Sequence, residues 1–182
     1  ASASASSLYP VTYSDKEWMY MLSGAQYNIL RRGGTERPFS SILESEKRAG
    51  TFVCAGCNTP LFASEAKFNS RTGWPSFAST IEDGAQTPKN TNAAMMVLAG
   101  AELKCKTCGG HLGDVFLDGK LFPGTVAFDS GKRYCIDGTA LIFKPSDENS
   151  EPLYGDLPPI PKKNVNEIEL PKFLQPPKIV VY

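Results

Sequence analysis

Residues 51–58, Thr-Phe-Val-Cys-Ala-Gly-Cys-Asn, and residues 102–109, Glu-Leu-Lys-Cys-Lys-Thr-Cys-Gly, carry two Cys-x-x-Cys pairs that decide how this chain folds. Each pair follows a strand-like run and is followed by a turn residue, Asn58 or Gly109. Two such knuckles supply four thiolates that close a tetrahedral shell, the soft donor set Zn²⁺ prefers in a structural role. Two local disulfides and a thioredoxin-like redox pair are the competing accounts. A redox pair sits at a helix start after a strand in an α/β fold, whereas these pairs lie among expected hairpins. Cys54, Cys57, Cys105 and Cys108 are therefore read as ligands of a zinc that pins two distant hairpins together. A shell closed by four sulfurs leaves the metal no open position for substrate.

Outward from the knuckles, 182 residues suit one compact domain with a real core. Nineteen basic against nineteen acidic residues, with 41% hydrophobic content, describe an ordinary globule and argue against a nucleic-acid partner. No apolar run reaches the ~18 residues a membrane span needs. Five cysteines is an odd number, which fits metal binding plus one spare thiol better than a paired extracellular framework. The uncharged Ala-Ser alternation of Ala1–Ser7 resembles the remnant of an organelle leader, although a cloning scar looks the same. The expectation is an organelle interior, a plastid for example, or otherwise the cytoplasm.

The chain divides into a flexible segment 1–13, a domain 14–145 and a Pro-rich extension 146–182. Ser14 with Glu17, and Ser23 with Gln26, form capping boxes, so two short helices are expected at 15–22 and 24–32, with Trp18, Leu22, Ala25 and Ile29 on the covered face. Gly33 and Gly34 stop the second. Strands are expected at 51–54, 93–98, 102–105, 115–117, 133–136 and 140–144, with Asp118-Gly119 as a hairpin turn. Seven of the fourteen prolines lie between Glu151 and Pro177, so the end of the chain is expected to run extended, as a disordered linker, a strap on the protein's own surface or a partner-docking arm.

Cys135 is the spare thiol. A lone cysteine is commonly a small buried hydrophobe, but Arg133 lies two residues away on the same strand face, where a guanidinium favours the thiolate. Asp137 shares that face and either opposes the effect or holds the arginine. His111, the sole histidine, follows the second knuckle and is a candidate polar group of a site rather than a fifth ligand. Gly73-Trp74-Pro75-Ser76-Phe77 offers Trp74 and Phe77 either to the core or to a wall for a small apolar group.

Taken together, Thr35-Glu36-x-Pro38-Phe39, both knuckles, Gly73-Trp74-Pro75-Ser76-Phe77, His111-Leu112-Gly113 and Arg133-Tyr134-Cys135 resemble the methionine sulfoxide reductase B family over about residues 15 to 145. The resemblance implies a mainly β fold of two antiparallel sheets, tent-like, with short N-terminal helices and a structural zinc. It implies reduction of the R epimer of methionine sulfoxide in oxidised proteins, by attack of Cys135 on the sulfoxide sulfur to leave a sulfenic acid. Trp74 would supply the apolar wall, Arg133 would support the thiolate, and His111 would organise the polar side.

Three positions depart from the family's usual pattern. Thr72 stands where many members carry a resolving cysteine, which implies a one-cysteine type reduced by an external thiol such as thioredoxin, glutathione or glutaredoxin. Asp114 stands in place of a second histidine, and Asp137 in place of an asparagine. Two anions near the nucleophile would raise its pKa and slow the reaction. Alternatively, a protonated Asp114 serves as the acid. The alternative function is a catalytically weak scaffold that docks into a larger assembly through residues 146–182.

Overall fold

A computed structural model describes residues 8–82, 84–88 and 91–159; Ala1–Ser7 and residues 160–182 lie outside the described residues, and with them the leader reading and most of the docking-arm reading. Two antiparallel sheets form the body. Sheet A has the order β10-β9-β1-β2 and sheet B the order β3-β4-β8-β7-β6-β5. In sheet A, β1 (Gly50–Cys54) runs between β2 (Pro60–Ala63) and β9 (Leu141–Pro145), and β10 (Leu153–Tyr154) pairs with β9. Sheet B contains β3 (Lys67–Phe68), β4 (Ser76–Phe77), β5 (Ala85–Gln86), β6 (Ala101–Cys105), β7 (His111–Phe116) and β8 (Arg133–Ile136).

The core lies between the sheets because their strands alternate. On β6, Ala101, Leu103 and Cys105 are buried while Glu102 and Lys104 face out. Phe77 of sheet B meets Phe52 of sheet A edge-on and stacks on Phe62, and Phe52 also packs at a tilt on Phe143, all four fully buried. Truncating such a phenylalanine costs about 3–5 kcal/mol in lost transfer energy and cavity formation.

Both capping boxes form. Helix α1 (Asp15–Met21) starts at Ser14, helix α2 (Gly24–Arg32) starts at Ser23, and Gly33 ends α2 in the left-handed conformation. Leu22 is extended between them, so the helical phase is reset. That reset explains a correction: Ala25 is exposed, and α2 buries Gln26, Tyr27, Ile29 and Leu30 instead.

Two further expectations are corrected. Residues 93–98 form helix α3 (Ala93–Leu98) rather than a strand: Asn92 caps it through Ala94 N–H, and Ala and Met are good helix formers. Asp118-Gly119 is not a hairpin turn. The chain makes a 3-10 turn at Gly119–Leu121 and helix α4 (Val126–Ser130) before β8 pairs with β7. The start of the Pro-rich segment is held against the domain. Beyond β10, Gly155 O accepts from Ser41 Oγ at 2.6 Å and Leu157 O accepts from Ile42 N–H at 3.0 Å.

Candidate metal centre and active site

The two knuckles share one geometry. The N–H of Asn58 donates to Cys54 O and that of Gly109 to Cys105 O, both at 2.8 Å, and both turn residues have positive φ. The four Sγ atoms lie within 4.8 Å of one another, with Cys54–Cys108 at 3.7 Å and Cys57–Cys105 at 3.6 Å. Zn–S bonds of ~2.3 Å in a tetrahedron place sulfurs about 3.8 Å apart, so the cluster has the donor set and spacing of a structural zinc site. The sulfurs compete for protons. Cys57, accepting from Cys105, Cys108 and Cys54, is held far down, and Cys105, accepting from Cys108, is lowered to about 7. Cys54 and Cys108 are pushed well up, chiefly by their bonds to Cys105. Bringing all four to the thiolate form takes a divalent cation in their midst. The helices seal the cluster: Arg31 lies 4.6 Å over the Trp18 ring and donates to Cys108 O at 2.9 Å.

On the opposite face of sheet B, pairing puts Ser76, Cys135, Asp114 and Glu102 in one row across four strands. Leu103 faces Gly113 and Lys104 faces His111, so Leu112 is the extra residue of a β-bulge that returns His111 to the face of Asp114. Gly113 has φ +140, and a Cβ there would lie 2.2 Å from Cys135 O. Only glycine lets β7 approach the nucleophile's strand this closely.

A cleft of about 190 Å³ opens on this face, lined by Thr35, Trp74, Gly113, Asp114, Phe116, Cys135 and Asp137. Trp74 is held by its Nε1–H, which donates to Glu36 O at 3.3 Å. Glu36 also donates its N–H to Asp137 Oδ1 at 2.9 Å, while its carboxylate accepts from Gly138 and Thr139 N–H at 2.7 and 2.8 Å. His111 bridges two carboxylates, with Nδ1 3.0 Å from Glu102 and Nε2 3.8 Å from Asp137. Two of the sequence-derived placements change. Arg133 is held by Asp118 in a bidentate pair, at 3.1 and 2.7 Å, and not by Asp137. Phe77 is in the core, because alternation along β4 sends Ser76 to the cleft face and Phe77 to the other; Phe116, two residues past Asp114, provides the second aromatic wall.

Burial pushes the Cys135 thiol above its ordinary value, and Asp137 and Asp114 add to the rise; Arg133 and a hydrogen bond from Thr72 pull the other way. Burial also raises Asp114, and pushes Asp137 up to about 7 with help from the Glu36 carboxylate. Near neutrality the cleft therefore holds a half-protonated carboxyl beside a thiol. That is an acid and a nucleophile-to-be against an apolar wall.

Residues 22–145 match the family model described as the SelR domain. The chain is 42% identical over 135 residues to the peptide methionine sulfoxide reductase MsrB of Agrobacterium fabrum, covering 74% of this chain and 93% of that protein. It is 46% identical over 132 residues to MsrB of Pseudomonas putida, covering 72% and 92%, and 42% identical over 142 residues to MsrB of Methanosarcina barkeri, covering 78% and 93%.

Proposed function

The chain belongs to the methionine sulfoxide reductase B family, and on that premise we propose that it reduces the R epimer of peptide methionine sulfoxide in the cleft around Cys135. The observation that carries this reading is the cleft itself, in which one free thiol sits beneath Trp74 and Phe116 and beside two carboxyls of raised pKa. The substrate's S-methyl lies against the aromatic walls and its oxygen faces Asp137. Cys135 gives its thiol proton to solvent and, as the thiolate, attacks the sulfoxide sulfur as the Asp137 carboxyl donates its proton to the oxygen. The oxygen passes to Cys135 as a sulfenic acid, and the two-electron-richer thioether leaves as methionine. Asp114 keeps the oxygen side polar, while Glu36 and His111 position Asp137. Thr72 offers no second thiol at that position, so an external thiol condenses with the sulfenic acid, releasing water, and a second thiol frees Cys135 as a disulfide departs. Cys54, Cys57, Cys105 and Cys108 hold the zinc, which supplies rigidity and takes no part in the chemistry.

Residues 14–145 carry this activity, and the extension 146–182, whose Leu153–Tyr154 pairs with sheet A, is left to meet a partner. None of the five cysteines is paired in a disulfide, which suits a reducing compartment, an organelle interior such as a plastid or else the cytoplasm. No helix among the described residues is long and apolar enough to cross a membrane. The test is turnover of R and S sulfoxide peptides with a small thiol. R-specific reduction that vanishes in Cys135→Ser supports the reading, and Cys135-independent or S-specific turnover refutes it.

A further inference from the structure

Behind Cys135 runs a line of hydroxyls with a polarity set by its far end. Ser76 is the register partner of Cys135 across β4 and β8, and the Thr72 side chain is the hydroxyl that favours the Cys135 thiolate. Thr72 Oγ1 is 2.8 Å from Ser70 Oγ, Ser70 Oγ is 2.7 Å from Ser76 Oγ, and Ser76 Oγ donates to Trp74 O at 3.1 Å. Ser70 and Ser76 are buried. Each hydroxyl has one proton to give. Because Ser76 gives its proton to the carbonyl, Ser70 must give to Ser76, Thr72 to Ser70, and the thiol S–H to Thr72. That is the order for the protonated thiol. A thiolate only accepts, so on ionisation Thr72 must turn and donate to sulfur, Ser70 to Thr72 and Ser76 to Ser70, releasing Trp74 O.

We propose that Thr72, Ser70 and Ser76 form a reversible hydroxyl relay that hydrogen-bonds the ionised Cys135 and couples its ionisation to the backbone of Trp74, the wall of the cleft. The relay rests on Cys135 being the nucleophile. Thr72 touches the reacting sulfur and is catalytic; Ser70 and Ser76 act through it and are positioning residues. The charged groups around the sulfur are Arg133 on β8, Asp114 on β7 and Asp137 after β8, with Glu36 and His111 behind Asp137. The two aspartates disfavour the thiolate, so a neutral donor that reverses on demand has a clear use there.

The experiment measures the pH dependence of iodoacetamide alkylation at Cys135, located by peptide mass, in the full zinc-loaded chain. Thr72→Val is expected to raise the apparent thiol pKa by about one unit, a tenfold slower reaction at fixed pH below it. Thr72→Ser should restore the profile, and Ser70→Ala and Ser76→Ala should each raise it by roughly a third of that. An unmoved profile in Thr72→Val overturns the proposal. A shift confined to Thr72→Val, with Ser70→Ala at the wild-type value, overturns the relay as well; Ser70→Ala alone decides should the wholly buried Ser76 site not tolerate alanine. Alkylation reads the thiol and not turnover. Failure of the nucleophile assignment shows separately, as turnover surviving in Cys135→Ser.

Discussion

Sheet B carries two sulfur sites on opposite faces, and they are built for opposite ends. Cys105 leaves β6 on the covered face, fully buried with three other sulfurs within 4.8 Å. Cys135 leaves β8 on the other face, into a cleft with no second thiol on its lining. In the first site every sulfur is spent on holding strands together. In the second, one sulfur is surrounded by groups that set its proton rather than its position. The same element has different chemistry according to whether its neighbours are sulfurs or carboxyls, and the strand's alternation decides which.

Exchanging the roles of these sites should fail in distinct ways. The largest effect is expected for Cys105→Ala: metal binding is lost, and with it a share of the roughly 10 kcal/mol that a structural zinc contributes, so metal content and thermal melting should collapse together. Cys135→Ala should keep metal content and melting temperature while abolishing turnover. Should Cys105→Ala melt like the parent, the division between the two sites is wrong.

Phe77 and Trp74 sharpen the contrast within one short segment. Phe77→Ala should cost about 3–5 kcal/mol of stability, measured by denaturant unfolding. Trp74→Ala should cost little stability but lower kcat/KM about tenfold or more by removing a wall of the substrate cleft.

Asp137→Asn tests the acid. The amide still accepts from Glu36 N–H but has no acidic proton to transfer, so kcat should fall about 100-fold, and adding Asp114→His should recover part of the loss. Stability should move the other way. A carboxyl whose folded pKa is raised to about 7 contributes stability below its unfolded value near 4 and loses it as pH climbs through 7. Asp137→Asn should therefore be more stable than the parent at pH 8, by on the order of 4 kcal/mol, and close to it at pH 4. Equal stability at both pH values would contradict the buried-carboxyl account.

Much of this was legible from local patterns. The capping boxes at Ser14 and Ser23, the knuckle turns at Asn58 and Gly109, and the strands around Cys54, Cys105 and Cys135 all depend on residues within a few positions of one another. Phe116 was readable too, since it lies two residues beyond Asp114 on the same strand face. What the sequence concealed was long-range or short-lived along the chain. Glu36 reaches Gly138 and Thr139 across about a hundred residues, and Asp118 captures Arg133 across fifteen, distances at which no periodicity carries information. β3, β4, β5 and β10 are two residues each and exist because a neighbouring strand accepts them. Residues 93–98 misled because an apolar run with no polar period suits strand or helix equally, and the Asn92 cap decides it.

A single turnover without reductant shows whether Cys135 takes the oxygen from the sulfoxide: enzyme is mixed with the R epimer of a methionine sulfoxide peptide, methionine is quantified, and the sulfenic acid is trapped with dimedone and located by mass spectrometry. One equivalent of methionine per chain, with the adduct on the Cys135 peptide and none from the S epimer, is the predicted result. Methionine formed with Cys135 unmodified, or an adduct on a knuckle cysteine, would contradict it.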